Sequence, residues 1–360
     1  MCPGSLSVSD RLLERWSTHT CFPCLDLPPL EHDLTTASTA NVETGAPDDK
    51  RRRSTRSARI TEWVVKSTLI ACASFSIFVT VSIVVLLSKE TITFFSKPEV
   101  SLSDFLLGTR WTPLLGNEKH YGIWPLIGGT MYVTVVAMTL ALPLGLVTAV
   151  YLSEYASART RAFLKPVLEI LAGIPTVVYG LFALIFITPS LKFVFDPIFD
   201  IFGSGRFEAQ NVLSAGIAVG ILCLPIVSSL CEDALRAVPS GLRDGAYGLG
   251  GTKFDVTVRV VLPAALSGII SSFLLAVARA VGETMVVALA AGNIARLTAD
   301  PRVSAQTMTG LIAQMAKGDI DHQGAQYYSA YAVAAVLFLM TLSLTLIGHW
   351  IRQRFREAYE

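Results

Sequence analysis

Six apolar stretches alternate with polar connections between residue 60 and the C-terminus. Each is close to the roughly 20 residues that a helix needs to cross the hydrocarbon core of a bilayer. We place the predicted spans at about 67–87, 126–152, 166–187, 211–231, 264–289 and 330–350. This pattern predicts an all-α polytopic membrane protein with six transmembrane helices.

The composition supports this class and excludes others. Of 360 residues, 52% are hydrophobic and only 16% are charged, a balance typical of multispanning membrane proteins. The net charge of +1 gives no support for nucleic-acid binding. The predicted location is the cell (inner) membrane, in contact with lipid, and no cofactor is predicted.

The chain divides into four predicted regions. A polar, charged stretch at 1–59 is predicted to be a disordered cytoplasmic tail, because it has no apolar run of spanning length. The first transmembrane helix and an external loop occupy 60–122. The transmembrane core occupies 123–351 and includes a cytoplasmic loop at 232–263, and a short cytoplasmic tail follows at 352–360. In the first region Cys21 and Cys24 leave a zinc site as an alternative, although no second Cys pair follows.

Basic residues in the connections predict the orientation. Cytoplasmic connections carry an excess of Lys and Arg. With the N-terminus inside, the inner segments from Lys50 onward carry 17 of these residues and the outer connections carry 9. Both termini and the 232–263 loop are therefore predicted to lie on the cytoplasmic side.

The loop has a regular internal pattern from Asp244 to Pro263. Ser240 can cap a short helix, which Gly250 can end because glycine accepts the left-handed conformation of a C-cap. Thr252 can cap a second helix, with Asp255 three residues later as an imperfect capping box. Pro263 is expected to start the next apolar segment.

The spacing in this loop resembles the "EAA" loop of permease subunits of ABC importers. Asp244 stands for the usual Glu, Gly245 for the first Ala and Ala246 for the second. The later positions of the pattern are occupied by Gly250, Val260, Leu262 and Pro263. The resemblance implies that Asp244, Gly245, Ala246, Gly250, Leu262 and Pro263 couple the chain to an ATPase partner.

Further stretches resemble the phosphate-specific ABC importer, and its PstC permease subunits in particular. They include S-E-Y-A-S at 153–157, C-E-D-A-L-R at 231–236 and A-R-A-V-G-E-T-M-V at 278–286. The resemblance implies the type I importer permease (MetI-like) fold. It also implies a homologous second permease, an ATPase dimer, an external phosphate-binding protein and phosphate as substrate. The chain itself is not expected to hydrolyse ATP, because it has no Gly-Lys pair for a P-loop.

One charged pair stands inside the fifth predicted span. Between Pro263 and Gly292 the only charged residues are Arg279 and Glu283. Their spacing of four predicts that they share one helix face. Charges at such depth need a partner or a water-filled path. We therefore predict that Arg279 and Glu283, with Thr284, lie on the substrate path, and a buried pair that only fixes helix packing is the alternative.

Other functions remain open at this stage. Sulfate or molybdate could use the same kind of anion path as phosphate. A secondary anion transporter would also carry intramembrane charges, but it would have no need of the 240–263 loop. A membrane enzyme is less well supported, because the chain has no His-Glu-x-x-His or Gly-x-Ser-x-Gly motif.

Overall fold

The computed structural model describes residues 49–112, 119–201, 206–318 and 324–354. The chain divides into two compact units, Met1–Ile70 and Ala71–Glu360. Most of the predicted N-terminal tail, including Cys21 and Cys24, lies outside the described residues. The tail boundary predicted at residue 59 falls within the first helix, which begins at Asp49.

The described part of the chain is helical apart from one small hairpin and the connecting segments. The elements in order are α1 (Asp49–Phe95), α2 (Leu102–Leu107), β1 (Trp111–Thr112), β2 (His120–Tyr121), α3 (Trp124–Val150), α4 (Ala158–Ala172), α5 (Thr176–Phe182), α6 (Thr188–Ile201), α7 (Val212–Arg236), α8 (Ser240–Gly248), α9 (Lys253–Val256), α10 (Leu262–Ala264), α11 (Leu266–Val281), α12 (Met285–Ala290), α13 (Met308–Lys317) and α14 (Ala325–Arg354). Single π-helical turns extend α3 to Tyr155, join α5 to α6 and join α9 to α10. The strands β1 and β2 pair antiparallel.

Five helices in the described residues are long and apolar enough to cross a membrane, and a bent pair makes a sixth. The five are Ile60–Phe95, Trp124–Tyr155, Thr176–Ile198, Val212–Arg236 and Ala325–Arg354, and the bent pair is Lys253–Ala264 with Leu266–Val281. The predicted number of spans therefore holds when the bent pair is taken as one span. The predicted bounds of the third and the fifth spans are wrong.

The third span begins later than predicted. Residues 166–172 belong to α4, an amphipathic helix with no buried residue, and not to the span. Pro175 cannot donate to a helical hydrogen bond and disfavours the helical conformation of Ile174. The chain therefore turns at Gly173–Pro175, and the spanning helix runs from Thr176 to Ile198.

The fifth span is broken at both ends. Pro263 does not start the span, because it lies in α10, and the axis bends by 69° between α10 and α11. Proline has no N–H for the preceding turn, which is a common cause of such bends. At the other end α11 stops at Val281, and α12 begins only at Met285. The predicted single helix over 264–289 is therefore wrong.

Helices α3 and α7 form the centre of the core and approach each other closely at glycines. A Cβ on Gly216 would lie 2.4 Å from Val136 Cγ1, and one on Gly220 would lie 2.9 Å from the carbonyl oxygen of Ala137. Small residues permit such approach between helices in membranes. Helix α11 packs against this pair, so a displacement of α3 or α7 reaches α11 through direct contact.

The segment between α12 and α13 is tied to the chain just before α7. Asn211 N donates to Ala290 O at 3.0 Å, and Arg296 Nη2 lies 3.0 Å from Glu208 Oε1. Burial raises the pKa of the Glu208 carboxyl, but hydrogen bonds from Ser304 and the charge of Arg296 outweigh it and lower the pKa below its ordinary value. The carboxylate therefore stays charged and holds this segment at the same end of the bundle as the start of α7.

Candidate functional site

The loop between α7 and α11 begins with two short helices, α8 and α9, which are joined at glycine. Ser240 is the first residue of α8 and not its cap, a position that Pro239 takes. Gly250 has a φ of 84°, the left-handed conformation predicted for the end of this helix. Thr252 caps α9 as predicted, because its Oγ1 accepts from Asp255 N at 3.2 Å.

One surface of this loop is not covered by any of the residues that the structure describes. A Cβ built on Gly241, Gly245, Gly248 or Gly250 would meet nothing within 4 Å. Leu249 is 92% exposed, and Phe254 and Tyr247 are also exposed. Asp244 is exposed on α8, whereas Ala246 is half-buried and faces the core. Exposed apolar side chains beside exposed glycine backbone are typical of a surface that a partner covers.

The other side of α8 is held to the membrane helices by Arg243. Its guanidinium donates to the carbonyl oxygens of Leu235 and Val238, both at 2.7 Å. It also donates to Glu154 Oε1 at 3.1 Å. Leu235 lies in the last turn of α7, where helical carbonyls lack intrahelical donors, and Val238 lies just after the helix. Glu154 lies in the π-helical turn that ends α3. One side chain therefore connects three elements.

A second charged cluster lies beside this contact. Glu232 of α7 is 1% exposed, and Arg161 Nε, Lys165 Nζ and Arg236 Nη1 lie 3.5, 3.6 and 3.7 Å from its oxygens. Arg161 also donates twice to the carbonyl oxygen of Leu152, from Nε at 2.9 Å and from Nη2 at 2.6 Å. These contacts join the start of α4 to the ends of α3 and α7.

The predicted substrate residues meet at the break between α11 and α12. Arg279 Nη1 lies 3.5 Å from Glu283 Oε2, so the predicted pair forms. However, Glu283 lies beyond the last residue of α11, and the two do not share the face of one regular helix. The pair still forms because the backbone continues its turn, with Glu283 N donating to Ala280 O at 3.2 Å. Arg279 is 43% exposed, whereas Glu283 is 3% exposed.

The neighbouring helix α13 is hydrogen-bonded to the break between α11 and α12. Thr309 Oγ1, near the start of α13, donates to the carbonyl oxygen of Glu283 at 2.6 Å. Thr284 precedes the first residue of α12, and its Oγ1 donates to Gly282 O at 3.2 Å. The carbonyl that the break frees from helical bonding is thus satisfied inside the subunit.

The structure separates the predicted site residues into two groups. The loop residues lie before α11, and Arg279, Glu283 and Thr284 lie at its far end. Thirteen residues separate Leu266 from Arg279, which is about 20 Å along a helix. Sequence reasoning assigned no role to Glu154, Glu232, Arg161 or Arg243. A signal was present, since acidic residues at the ends of apolar segments need partners.

Comparison with known proteins identifies the family. Residues 141–357, more than half of the chain, match the family described as binding-protein-dependent transport system inner membrane component. The chain belongs to this family of inner-membrane transport components. The match covers α7, α8 and α11, and so includes both groups of candidate residues.

Curated relatives in this family agree with the resemblance found in the sequence. The chain is 31% identical over 284 residues to a probable ABC transporter permease protein, YqgH, of Bacillus subtilis, covering 79% of this chain and 88% of that protein. It is 32% identical over 289 residues to the phosphate transport system permease protein PstC of Mesorhizobium japonicum, covering 76% and 86%. The predicted membership among ABC importer permeases is confirmed.

A solved structure agrees on the fold of the inner-membrane component. The chain resembles a crystal structure of a bacterial ABC transporter involved in the import of the acidic polysaccharide alginate. The TM-score is 0.57 at 14% sequence identity, and the match covers 85% of this chain and 100% of the other. Together with the family match, this confirms the predicted importer-permease fold and a multi-pass membrane protein.

Proposed function

We propose that this chain is the transmembrane permease subunit of an ATP-driven phosphate importer. It forms half of the translocation path and couples to a cytoplasmic ATPase through the 240–263 loop. The observation that carries this proposal is the open surface of α8 and of the turn after it. There a Cβ on any of four glycines would meet none of the described residues within 4 Å, and Leu249 is exposed. Relatives named as phosphate transport permeases support the substrate.

The partners follow from what the subunit leaves uncovered. A homologous second permease completes the path, an ATPase dimer binds the loop, and an external phosphate-binding protein delivers the substrate. Large apolar side chains on α4 and α5–α6 are exposed, with Phe163, Ile170 and Ile185 each 70% or more exposed. In a membrane such faces contact lipid or another transmembrane subunit. The chain contributes no catalytic step, and the ATPase partner hydrolyses ATP.

Arg279 is the residue that meets phosphate in this proposal. Its guanidinium is accessible and presents paired donors that match phosphate oxygens. Glu283 is buried beside it and holds Arg279 when no anion is present. The carboxylate competes with the anion and keeps binding weak enough for release.

Uptake by the reconstituted complex tests the substrate and the energy source. The full complex in proteoliposomes, with ATP on the ATPase side, should accumulate labelled phosphate. Excess unlabelled sulfate or molybdate should compete poorly. Strong competition by sulfate or molybdate would mean that this oxyanion, and not phosphate, is the transported substrate. Uptake that continues without ATP would favour a secondary transporter and contradict the proposal.

Both termini and the 240–263 loop are cytoplasmic in this proposal, which thiol labelling can test. In a background without the six native cysteines, Lys119→Cys and Lys317→Cys should react with a membrane-impermeant reagent added outside intact cells. Lys253→Cys should react only after the cells are opened. Labelling of position 253 in intact cells would overturn this orientation.

A further inference from the structure

We infer that Arg243 is the positioning residue through which movement of α8 is transmitted to α3 and α7. The inference rests on the proposed function, because it assumes that an ATPase moves α8. It assigns this role to a residue outside the loop positions that the sequence pattern marks.

The outward face of α8 offers the partner a surface but gives no link to the membrane. A Cβ added to any of the glycines on that face would meet none of the described residues within 4 Å. Leu242 and Ala246 pack against the core as partly buried apolar residues. Apolar contacts are non-directional and allow sliding, so they alone do not fix how α8 moves relative to the bundle.

Arg243 supplies the directional link. Its side chain is 19% exposed and that of Glu154 is 8% exposed, so solvent screens their interaction less than at the surface. The three acceptors are Leu235 O, Val238 O and Glu154 Oε1, at 2.7, 2.7 and 3.1 Å. They belong to the end of α7, the residues just after it and the end of α3. A displacement of α8 therefore moves both helix ends.

The helix ends that Arg243 contacts are also bonded to one another. Arg161 bonds the carbonyls of Leu152 and Ser153 at the end of α3 and lies 3.5 Å from Glu232 of α7. In addition, Lys253 Nζ at the start of α9 lies 5.0 Å from the ring centre of Tyr155. The ends of α3, α4 and α7 thus form one charged assembly, and Arg243 attaches α8 to it.

Arginine suits this position better than other residues. The planar guanidinium carries five N–H donors in fixed directions. Here it donates to three acceptors, which lie at the end of α7, just after α7 and at the end of α3. A lysine ammonium is a point charge on a flexible stem and would hold the same acceptors less rigidly. The inference therefore predicts a graded series, with Arg243→Lys milder than Arg243→Gln.

The first experiment compares ATP hydrolysis with uptake in the reconstituted complex. Because Arg243→Gln alone would leave the Glu154 carboxylate unpaired, Arg243→Gln/Glu154→Gln is the main variant. We expect ATP hydrolysis within about twofold of wild type and uptake at least tenfold lower. Arg243→Lys should lose less uptake. A parallel loss of hydrolysis and uptake would show a merely structural role and overturn the inference.

The matched control is Arg259→Gln on the neighbouring turn. Arg259 is 80% exposed and pairs only loosely with Asp255, at 3.6 Å. The Arg259→Gln substitution removes one positive charge from the same loop without removing a bond to α3 or α7. We expect the amount of uptake per ATP hydrolysed to stay at the wild-type value. An effect equal to that of the double variant would mean that loop charge, and not the link, matters.

A second measurement needs neither substrate nor partner. Hydrogen exchange of the purified full-length chain should show amides of Ser240–Gly248 exchanging at least tenfold faster in Arg243→Gln/Glu154→Gln. The amides of α3 and α7 should keep their wild-type rates. Unchanged exchange in α8 would overturn the link. Failure of the wild-type complex to take up phosphate would instead overturn the proposed function and leave this result intact.

Discussion

Two of the glycine-containing interruptions between helices differ in what holds them. At Gly282–Thr284 the break lies inside the bundle, Glu283 is buried, and its carbonyl accepts from Thr309. At Leu249–Gly251 the turn is set by the φ of 84° at Gly250, and a Cβ there would meet nothing within 4 Å. The first break is fixed by the subunit itself. The second is fixed only in its backbone and leaves its outer surface to a partner.

The largest expected effect comes from the open turn. Valine at 250 is β-branched and strongly disfavours a positive φ, at a cost of about 1–2 kcal/mol. In Gly250→Val we expect a folded, inserted subunit and a complex that no longer takes up phosphate. Immunoblotting of membranes and uptake assays measure both.

The control for this variant is Gly250→Asn, since asparagine tolerates the left-handed conformation. It should retain most of the uptake if the backbone angle is what matters. Equal loss in both variants would mean that the partner approaches too closely for any side chain. Normal uptake by Gly250→Val would contradict a coupling role for this turn.

A similarly large effect on uptake, with no effect on hydrolysis, is expected at the buried break. Arg279→Gln removes the charge that the proposal assigns to phosphate, so uptake should be lost while the complex assembles and its ATPase turns over. Arg279→Lys should recover only part of the uptake, because it lacks the fork. Assembly, hydrolysis and uptake are measured on the same preparation.

A double variant separates the substrate role from a packing role. Removing one partner of a buried pair leaves an uncompensated charge, which is strongly destabilising. Arg279→Gln/Glu283→Gln removes both charges. If the pair only fixes packing, this variant should regain assembly and uptake. If Arg279 binds phosphate, it should assemble but remain inactive.

A moderate effect is expected where the subunit fastens its own break. Thr309→Val keeps the shape of the side chain but leaves the carbonyl of Glu283 without its donor. An unsatisfied buried group costs about 1–3 kcal/mol. We expect a lower unfolding temperature in detergent, with Thr309→Ser at the wild-type value. Equal stability of both variants would mean that this bond does not hold the break.

The smallest effect is expected on the open face of α8. Alanine at 245 adds a methyl group where nothing lies within 4 Å and improves helix propensity by about 1 kcal/mol. Gly245→Ala should keep uptake within about twofold and slow amide exchange in α8. A large loss of uptake would show that the partner needs the bare backbone at 245.

Some features were determined by the sequence alone because they depend on local composition. The apolar runs predicted the spanning helices, since burying backbone in hydrocarbon requires a helix of known length. Gly250 and Thr252 predicted the turn and the second cap because each acts on its own backbone. The spacing from Asp244 to Pro263 was sufficient to predict the family, and the match over residues 141–357 confirms that family.

Other features were decided only by the tertiary structure. Periodicity could not show that α11 ends at Val281, because the carbonyl at the break is bonded by Thr309, 26 residues away. Nor could it pair Arg243 with Glu154 across 89 residues. Such contacts exist only when helix ends meet in space. Sequence fixes which residues are charged and apolar, whereas packing decides which charges meet, and the proposed coupling depends on the latter.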